Sequence, residues 1–395
     1  MSIAITRAAE YTPACCEAAV ERVFRLLKAP EAIGPDTKIL LKPNLLSKSA
    51  PEKAVTTHPE MVRAYIRACV RRGAKPEKIT LADSAGGLYN PAGVQALYKV
   101  CGMAAVCAEE GVNLYTACES VPCAVENGAV VRQFELLRPV LEADFIIDLP
   151  KFKTHVMTGM TAATKNLFGC IPGLKKAEWH TRFPDRERFG QMLIDLLLTV
   201  KPAMAVLDGI VGMEGDGPGG GEPRAVGLVM GCEGDELPLL DCAVCRLMGL
   251  DPMRVPYLKA AADRGLLPEG GFAESMLVGE ADAFVPLPDW QLPSSFAHGG
   301  AGSTDFADSR TRIPAFLAPL ARRAEQYIAP HPVVRRSACI GCGRCAEICP
   351  QHTIRLDPQK KKAKIVIKGC IRCFCCHEMC PVKAIEVKQL DVFKL

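Results

Sequence analysis

Eight cysteines near the C-terminus fall in one phrase written twice. Cys339, Cys342, Cys345 and Cys349 run into Pro350, and Cys370, Cys373, Cys376 and Cys380 run into Pro381. Each copy reads C-x-x-C-x-x-C-x-x-x-C-P, a spacing that holds [4Fe–4S] clusters. A cubane needs four thiolates at the corners of a tetrahedron; three come from one tight loop and the fourth arrives from elsewhere. The residues after each copy also repeat, with Gln351, His352, Thr353 and Ile354 set against Val382, Lys383, Ala384 and Ile385. A loop, a short helical turn and a strand are therefore duplicated. The alternatives are zinc knuckles and a disulfide framework, but zinc sites pair two C-x-x-C knuckles and need neither the third cysteine nor the trailing proline.

In two-cluster bacterial ferredoxins the fourth cysteine of each run ligates the other cluster. That pattern assigns Cys339, Cys342, Cys345 and Cys380 to one cluster, and Cys370, Cys373, Cys376 and Cys349 to the second. The expected cofactors are two [4Fe–4S] clusters. Cys375, between two ligands, is surplus and reads as a packed thiol.

A chain of 395 residues is too long for a ferredoxin alone and suggests further domains. With 49% hydrophobic and 23% charged residues it can build a sizeable core. The chain has 20 cysteines, and those outside the two phrases are mostly isolated in apolar segments. Free thiols beside oxygen-sensitive clusters point to a reducing cytoplasm and an anaerobic host. No secretory apolar stretch follows Met1 and no apolar run reaches the length of a membrane span, so a cytoplasmic protein with no membrane association is expected.

Residues 331–395 hold 13 Lys and Arg against 5 Asp and Glu, a local +8 in a chain of net charge +4. Much of the excess is Lys360, Lys361, Lys362 and Lys364, between the cysteine phrases. No aromatic interleaving or nucleic-acid motif accompanies the run, so no nucleic-acid partner is expected. It reads as a solvated hairpin tip, or as a docking patch for an acidic redox partner protein.

Earlier in the chain, strand-like and helix-like stretches alternate. Lys38–Leu46, Lys78–Leu81, Phe145–Leu149, Ala203–Leu207 and Ala225–Met230 read as strands; Pro59–Arg72, Arg186–Val200 and Glu236–Met248 read as helices. This predicts an α/β domain with a largely parallel sheet over 1–290, followed by a small α+β dicluster ferredoxin-like domain over 335–395. A connecting segment, 291–334, carries one helix over Ile313–Ile328.

Several phrases of the large domain occur together: Leu41-Lys42-Pro43-Asn44, Thr57-His58-Pro59, Asp83-Ser84, Pro150-Lys151-Phe152-Lys153-Thr154-His155, Thr164-Lys165-Asn166 and Met213-Glu214-Gly215-Asp216-Gly217. In order and spacing the set resembles the domain of unknown function 362 family, whose members often carry a C-terminal dicluster ferredoxin. The resemblance covers about residues 3–290 and 335–390. It implies iron–sulfur binding and a redox role without naming a substrate.

The chemistry of the large domain is then argued from residues. Each phrase falls at the end of an expected strand, where ligands collect in open α/β sheets. Lys42, Asp83, Lys151, Lys153, His155 and Lys165 are the candidate catalytic residues, and Asn44, Ser84, Asn166, Glu214, Gly215 and Gly217 the candidate cofactor-binding ones. Lysines facing a few acids suit an anionic small molecule such as a carboxylate or phosphate. His58 and His155, from different strand ends, are a candidate acid–base or metal pair. Gly215 to Gly220 fits G-x-G-x-x-G, but a strand rather than a helix comes next, so the stretch reads as a glycine loop that approaches or covers a ligand. Cys242 and Cys245 lie in an apolar helix and read as core thiols. The expected function is a ferredoxin-type oxidoreductase that passes electrons between its clusters and an anion in a lysine-rich cleft. The alternative is a non-catalytic electron carrier whose α/β domain docks redox partners.

Overall fold

A computed structural model describes residues 1–296 and 329–389. The expected helix Ile313–Ile328 and the glycine run at 299–303 lie outside the described residues. The strands of the large domain are β1 (Ile3–Arg7), β2 (Ile39–Pro43), β3 (Ile79–Leu81), β4 (Asn113–Leu114), β5 (Ser120–Ala124) and β6 (Gln133–Leu137). They continue with β7 (Phe145–Leu149), β8 (Lys151–His155), β9 (Gly159–Thr161), β10 (Met204–Glu214), β11 (Glu222–Glu233) and β12 (Leu277–Gly279). Apart from the separate β5–β6 hairpin these form one sheet, in the order β12-β1-β11-β10-β7-β2-β3-β4, with β8 on β10 and β9 on β8. The run β10-β7-β2-β3-β4 is parallel, whereas β11 is antiparallel to both β1 and β10.

The period of two along these strands divides the core. On β2, Ile39 and Leu41 face one apolar cluster and Leu40 the other; on β7, Ile147 and Leu149 are opposed to Ile146 in the same way. Helices cover both faces, as an all-buried parallel strand requires. Pro13–Leu26 and Pro59–Arg71 pack on one side, Arg186–Val200 and Leu237–Met248 on the other. Pro59 stands in the first turn of its helix, and the cap His58 accepts the Glu60 N–H through Nδ1 at 3.2 Å.

One strand runs further than the sequence predicts. The stretch read as Ala203–Leu207 continues to Glu214, across a register shift between Gly209 and Val211. Glycine is needed at the shift, because a Cβ on Gly209 would lie 2.8 Å from the Leu228 carbonyl oxygen. Asp208 therefore sits within a strand and not in a loop after one. The long β10–β11 hairpin carries its tip, Gly215 to Gly221, beyond the neighbouring strand ends.

In the C-terminal module β13 (His331–Val334) pairs with β16 (Ile385–Lys388), and β14 (Ile354–Leu356) with β15 (Ala363–Ile365). Its short helices are Arg344–Glu347 and Cys375–Glu378. The strand β13 falls within the expected connecting segment and belongs to this module by pairing. The module packs where β3, β8 and the β10–β11 hairpin end. Phe374, in the left-handed region at φ 59°, joins an apolar cluster of the large domain, and Lys383 Nζ donates to the Gly221 carbonyl at 2.9 Å.

Candidate iron–sulfur centres and an adjoining cationic cavity

The fold brings the eight motif cysteines together as two sets of four. Cys339, Cys342, Cys345 and Cys380 line one cavity of about 20 Å³. Cys349, Cys370, Cys373 and Cys376 line another of about 20 Å³. In each set three thiols come from one loop and the fourth from the other phrase. The donor chemistry suits a cubane: four thiols, apolar neighbours such as Ile354 and Ile385, and backbone N–H groups directed at sulfur. The Ala363 N–H lies 3.4 Å from Cys339 Sγ, and the Ala384 N–H 3.2 Å from Cys380 Sγ. Gly341, at φ 70°, is required in the first loop because a Cβ would fall 2.0 Å from the Lys361 carbonyl oxygen. Cys342 is exposed; Cys373 and Cys376 are buried.

The polar residues predicted at strand ends divide into two groups. In the first they are engaged with one another. Lys42 Nζ lies 2.8 Å from Asp83 Oδ1 and 2.8 Å from the Pro43 carbonyl, and Asp83 Oδ2 accepts the Leu45 N–H at 2.6 Å. Burial pulls the Lys42 ammonium down, but Asp83, Cys170 and Asp148 outweigh it and raise its pKa. A Cβ on Gly169 would fall 2.1 Å from Asp83 Oδ1, so glycine there makes room for the pair. Lys151 Nζ is held 2.8 Å from Asp208 and 2.6 Å from the Tyr11 hydroxyl. Glu214 pairs with Arg224 at 2.7 Å and accepts the Gln291 N–H at 3.0 Å.

Asp83 and the remaining candidates meet at a cavity of about 80 Å³, among whose lining residues are Asn44, Asp83, Ser84, Lys153, His155, Lys165 and Asn166. Lys42, Lys151, Glu214, Gly215 and Gly217 do not line it, a correction to the single strand-end cluster expected from sequence. The physical reasons are the buried ion pairs, which hold both lysine heads, and the long hairpin, which carries residues 214–217 away. Asn44 sits at the hub: its Oδ1 accepts from Lys153 Nζ at 2.7 Å and its Nδ2 donates to Asn166 Oδ1 at 2.9 Å. Asn166 in turn donates to Asp148 at 2.7 Å, and Ser84 Oγ accepts the Gly173 N–H at 2.7 Å.

Lys176, His180 and Glu378, not singled out from sequence, also line the cavity, as does Cys375, read there only as a packed thiol. The last two belong to the module. Glu378 Oε1 lies 3.0 Å from His155 Nε2, although not along a well-aligned hydrogen bond. His155 Nδ1 accepts the Met157 N–H at 3.1 Å, which leaves the ring proton on Nε2, facing Glu378. Burial favours a neutral Glu378 carboxyl, but His155, Lys165 and His180 outweigh it and lower its pKa. Burial, reinforced by Lys165, lowers the Lys153 pKa to about 7; burial also lowers Lys176 to about 8. Lys165 has no hydrogen bond or ion pair among the described residues, and burial lowers its pKa against the opposing pull of Glu378 and Cys375. His180 is stacked 4.6 Å from Phe189, with a buried Nδ1 that has no hydrogen-bond partner among the described residues.

His58 does not line the cavity that His155 lines. His58 stacks on Tyr11 at 3.7 Å, and its backbone N–H donates to Asp208 at 2.9 Å, so the expected histidine pair does not form. The glycine loop approaches protein instead of a ligand: a Cβ on Gly219 would lie 2.3 Å from the His377 carbonyl oxygen, and one on Gly217 2.5 Å from that of Thr154. Cys242 and Cys245 are buried in the apolar helix Leu237–Met248. Among the described residues no helix is long and apolar enough to cross a membrane.

Comparison with known proteins agrees with this division. Residues 338–384 match a 4Fe-4S dicluster domain, which makes the chain an iron–sulfur electron-transfer protein. A thylakoid-associated protein of Synechocystis sp. is 32% identical over 264 residues, covering 66% of this chain and 78% of that protein. Residues 39–246 match the family described as a domain of unknown function, DUF362, and the chain belongs to that family.

Proposed function

We propose that the protein is an iron–sulfur oxidoreductase with two [4Fe–4S] clusters that exchanges electrons with an anionic small molecule in the 80 Å³ cavity. The observation that carries this reading is that a cysteine-bearing helix of the module is itself a cavity wall. Cys375 and Glu378 line the cavity together with Lys153, Lys165 and His180, and Cys375 is the chain neighbour of Cys376 in the second thiol quartet. Each [4Fe–4S] cluster, when bound, holds or releases one electron. Two electrons and two protons reduce an acceptor A to AH2, so the chain must also provide protons. Lys153 Nζ is suited to that, because its pKa of about 7 lets it give and regain a proton near neutrality. Lys165 and His180 supply polar atoms for the anion that have no hydrogen-bond partner among the described residues, and the module forms one wall of the cavity.

The other quartet faces outward through Cys342, beside exposed Lys360 and Lys361 on the turn between β14 and β15 and exposed Lys364 on β15. This basic surface suits an acidic redox partner protein, because complementary charge steers encounter. It also favours the second reading, an electron carrier with no small-molecule substrate. The free thiols fit a reducing cytoplasm.

Potentiometric EPR on anaerobically purified protein, with and without inorganic phosphate, separates the two readings. Phosphate bound at Lys165 lowers the reduction potential of one cluster through its charge. Lys165→Met keeps both cluster signals and loses that response. A wild-type protein indifferent to phosphate and to simple carboxylates refutes the oxidoreductase reading.

A further inference from the structure

The inner cavity, at about 80 Å³, has room for one carboxylate- or phosphate-sized group and little more, since a water molecule takes about 30 Å³ of liquid. A groove of about 820 Å³ abuts the inner cavity and shares Gly86, Pro218, Ile348, Glu378 and Met379 as walls. The two compartments differ in chemistry. The inner one presents Lys153, Lys165, His180 and the module's Glu378. The outer one is walled by Leu88, Tyr89, Leu97 and Leu174 between the large domain and the module. Leu88 is 75% exposed and Leu174 41%, so neither is committed to the core. The charges around the groove balance, Lys48, Lys53, Arg344 and Lys383 against Glu52, Glu222, Glu347 and Glu378, and give it no preference for an anion. The two compartments meet at a narrow place, where a Cβ on Gly86 would stand 3.1 Å from Met379 Sδ.

We propose that the ligand is an elongated amphiphile: an anionic head, carboxylate or phosphate, seated in the inner cavity, and an apolar body lying in the outer groove. This rests on the reading of the inner cavity as an anion site and deepens it by naming the substrate class. A head alone would leave the groove unfilled; a longer ligand removes Leu88 and Leu174 from water and gains affinity through its own buried methylenes. The reducible group of such a ligand lies near the neck, next to Met379 and Cys380 of the module, where it can accept two electrons and two protons.

Calorimetric titration of the anaerobic holoprotein with acetate, butanoate, hexanoate and octanoate tests this, with 1-octanol and octyl phosphate in parallel. Affinity is expected to rise about fourfold per added methylene while the chain is being buried. Octanoate or octyl phosphate is expected to bind more tightly than octanol, the stronger of the two giving the head chemistry. Leu88→Glu, at an exposed position that puts folding at little risk, flattens the gain with length. Acetate binding as tightly as octanoate overturns the proposal and leaves the anion site standing. Octanol binding as tightly as both charged ligands overturns the anion site itself, and the seating of the head with it. A gain with length that survives Leu88→Glu overturns the placement of the body in this groove.

Discussion

Lys42→Met tests the distinction between lysines that hold the site together and lysines that face its cavity. Lys42 and Asp83 are 1% and 3% exposed at the side chain, with 2.8 Å between charged atoms. Removing the ammonium leaves a buried carboxylate with the Leu45 N–H as its hydrogen-bond partner. Breaking a buried pair from one side costs about 3–5 kcal/mol, because the remaining charge is uncompensated. Removing the second charge as well, in Lys42→Met with Asp83→Asn, is expected to return more than half of that loss. Lys75→Met serves as the control: the Lys75–Asp36 pair is 49% and 87% exposed at 3.5 Å, and such pairs contribute less than about 1 kcal/mol. The assay is chemical denaturation of anaerobic protein followed by tryptophan fluorescence. Both tryptophans, Trp179 and Trp290, lie in the large domain, so the signal does not report on the clusters. A Lys42→Met protein within about 1 kcal/mol of wild type, or a double variant no more stable than the single one, refutes the assignment of Lys42 as a positioning residue.

Three further outcomes are expected. Cys349→Ser should weaken the same EPR signal as Cys370→Ser, and Cys380→Ser the same signal as Cys339→Ser; loss of one signal from both Cys345→Ser and Cys349→Ser would refute crossed ligation. The Lys153 pKa falls from 10.5 to about 7 on folding, so between those values the unfolded chain binds more protons and this lysine's contribution to stability rises with pH. Relative to wild type, Lys153→Met should therefore lose up to about 1.4 kcal/mol per pH unit of that slope, measured by denaturation across the window. Gly219→Ala forces a methyl against the His377 carbonyl, at a cost of about 1–3 kcal/mol, and should keep both cluster signals while abolishing the response to phosphate; an unchanged response would show that the module's seating does not matter.

Sequence patterning was sufficient for the inner strands β2, β7 and β10, because each alternates between two cores, but left β4, β8, β9 and β12 unread. Ile39, Leu40 and Leu41 could be read as a strand without knowing what lay on either face. It was sufficient for the thiol quartets because cluster ligation sets cysteine spacing along the chain. The strand ends of β2, β3 and β7 were also legible, since lysine, asparagine and aspartate stand there against apolar runs, whereas Lys151–His155, read as the stretch after β7, is itself the strand β8.

What each polar group does was not legible, because partner choice depends on distances between segments far apart in sequence. Lys42 and Lys151 look like Lys153 and Lys165 in composition and position. Only the tertiary structure sets Asp83 and Asp208 against the first two and leaves Lys165 without a hydrogen bond or ion pair among the described residues. The β10–β11 hairpin hid its length because Asp208 and Gly209, beside the register shift, interrupt the apolar run that reads as a strand. The wall of the cavity that holds Cys375 and Glu378 comes from a separate module, and no local pattern records how two modules dock. The sequence by itself determined the thiol sets and the parallel core of the sheet, because both are enforced by spacing along the chain. The tertiary structure alone decided that the cysteine-bearing helix closes a cationic cavity, because burial and charge pairing are properties of segments brought together in space.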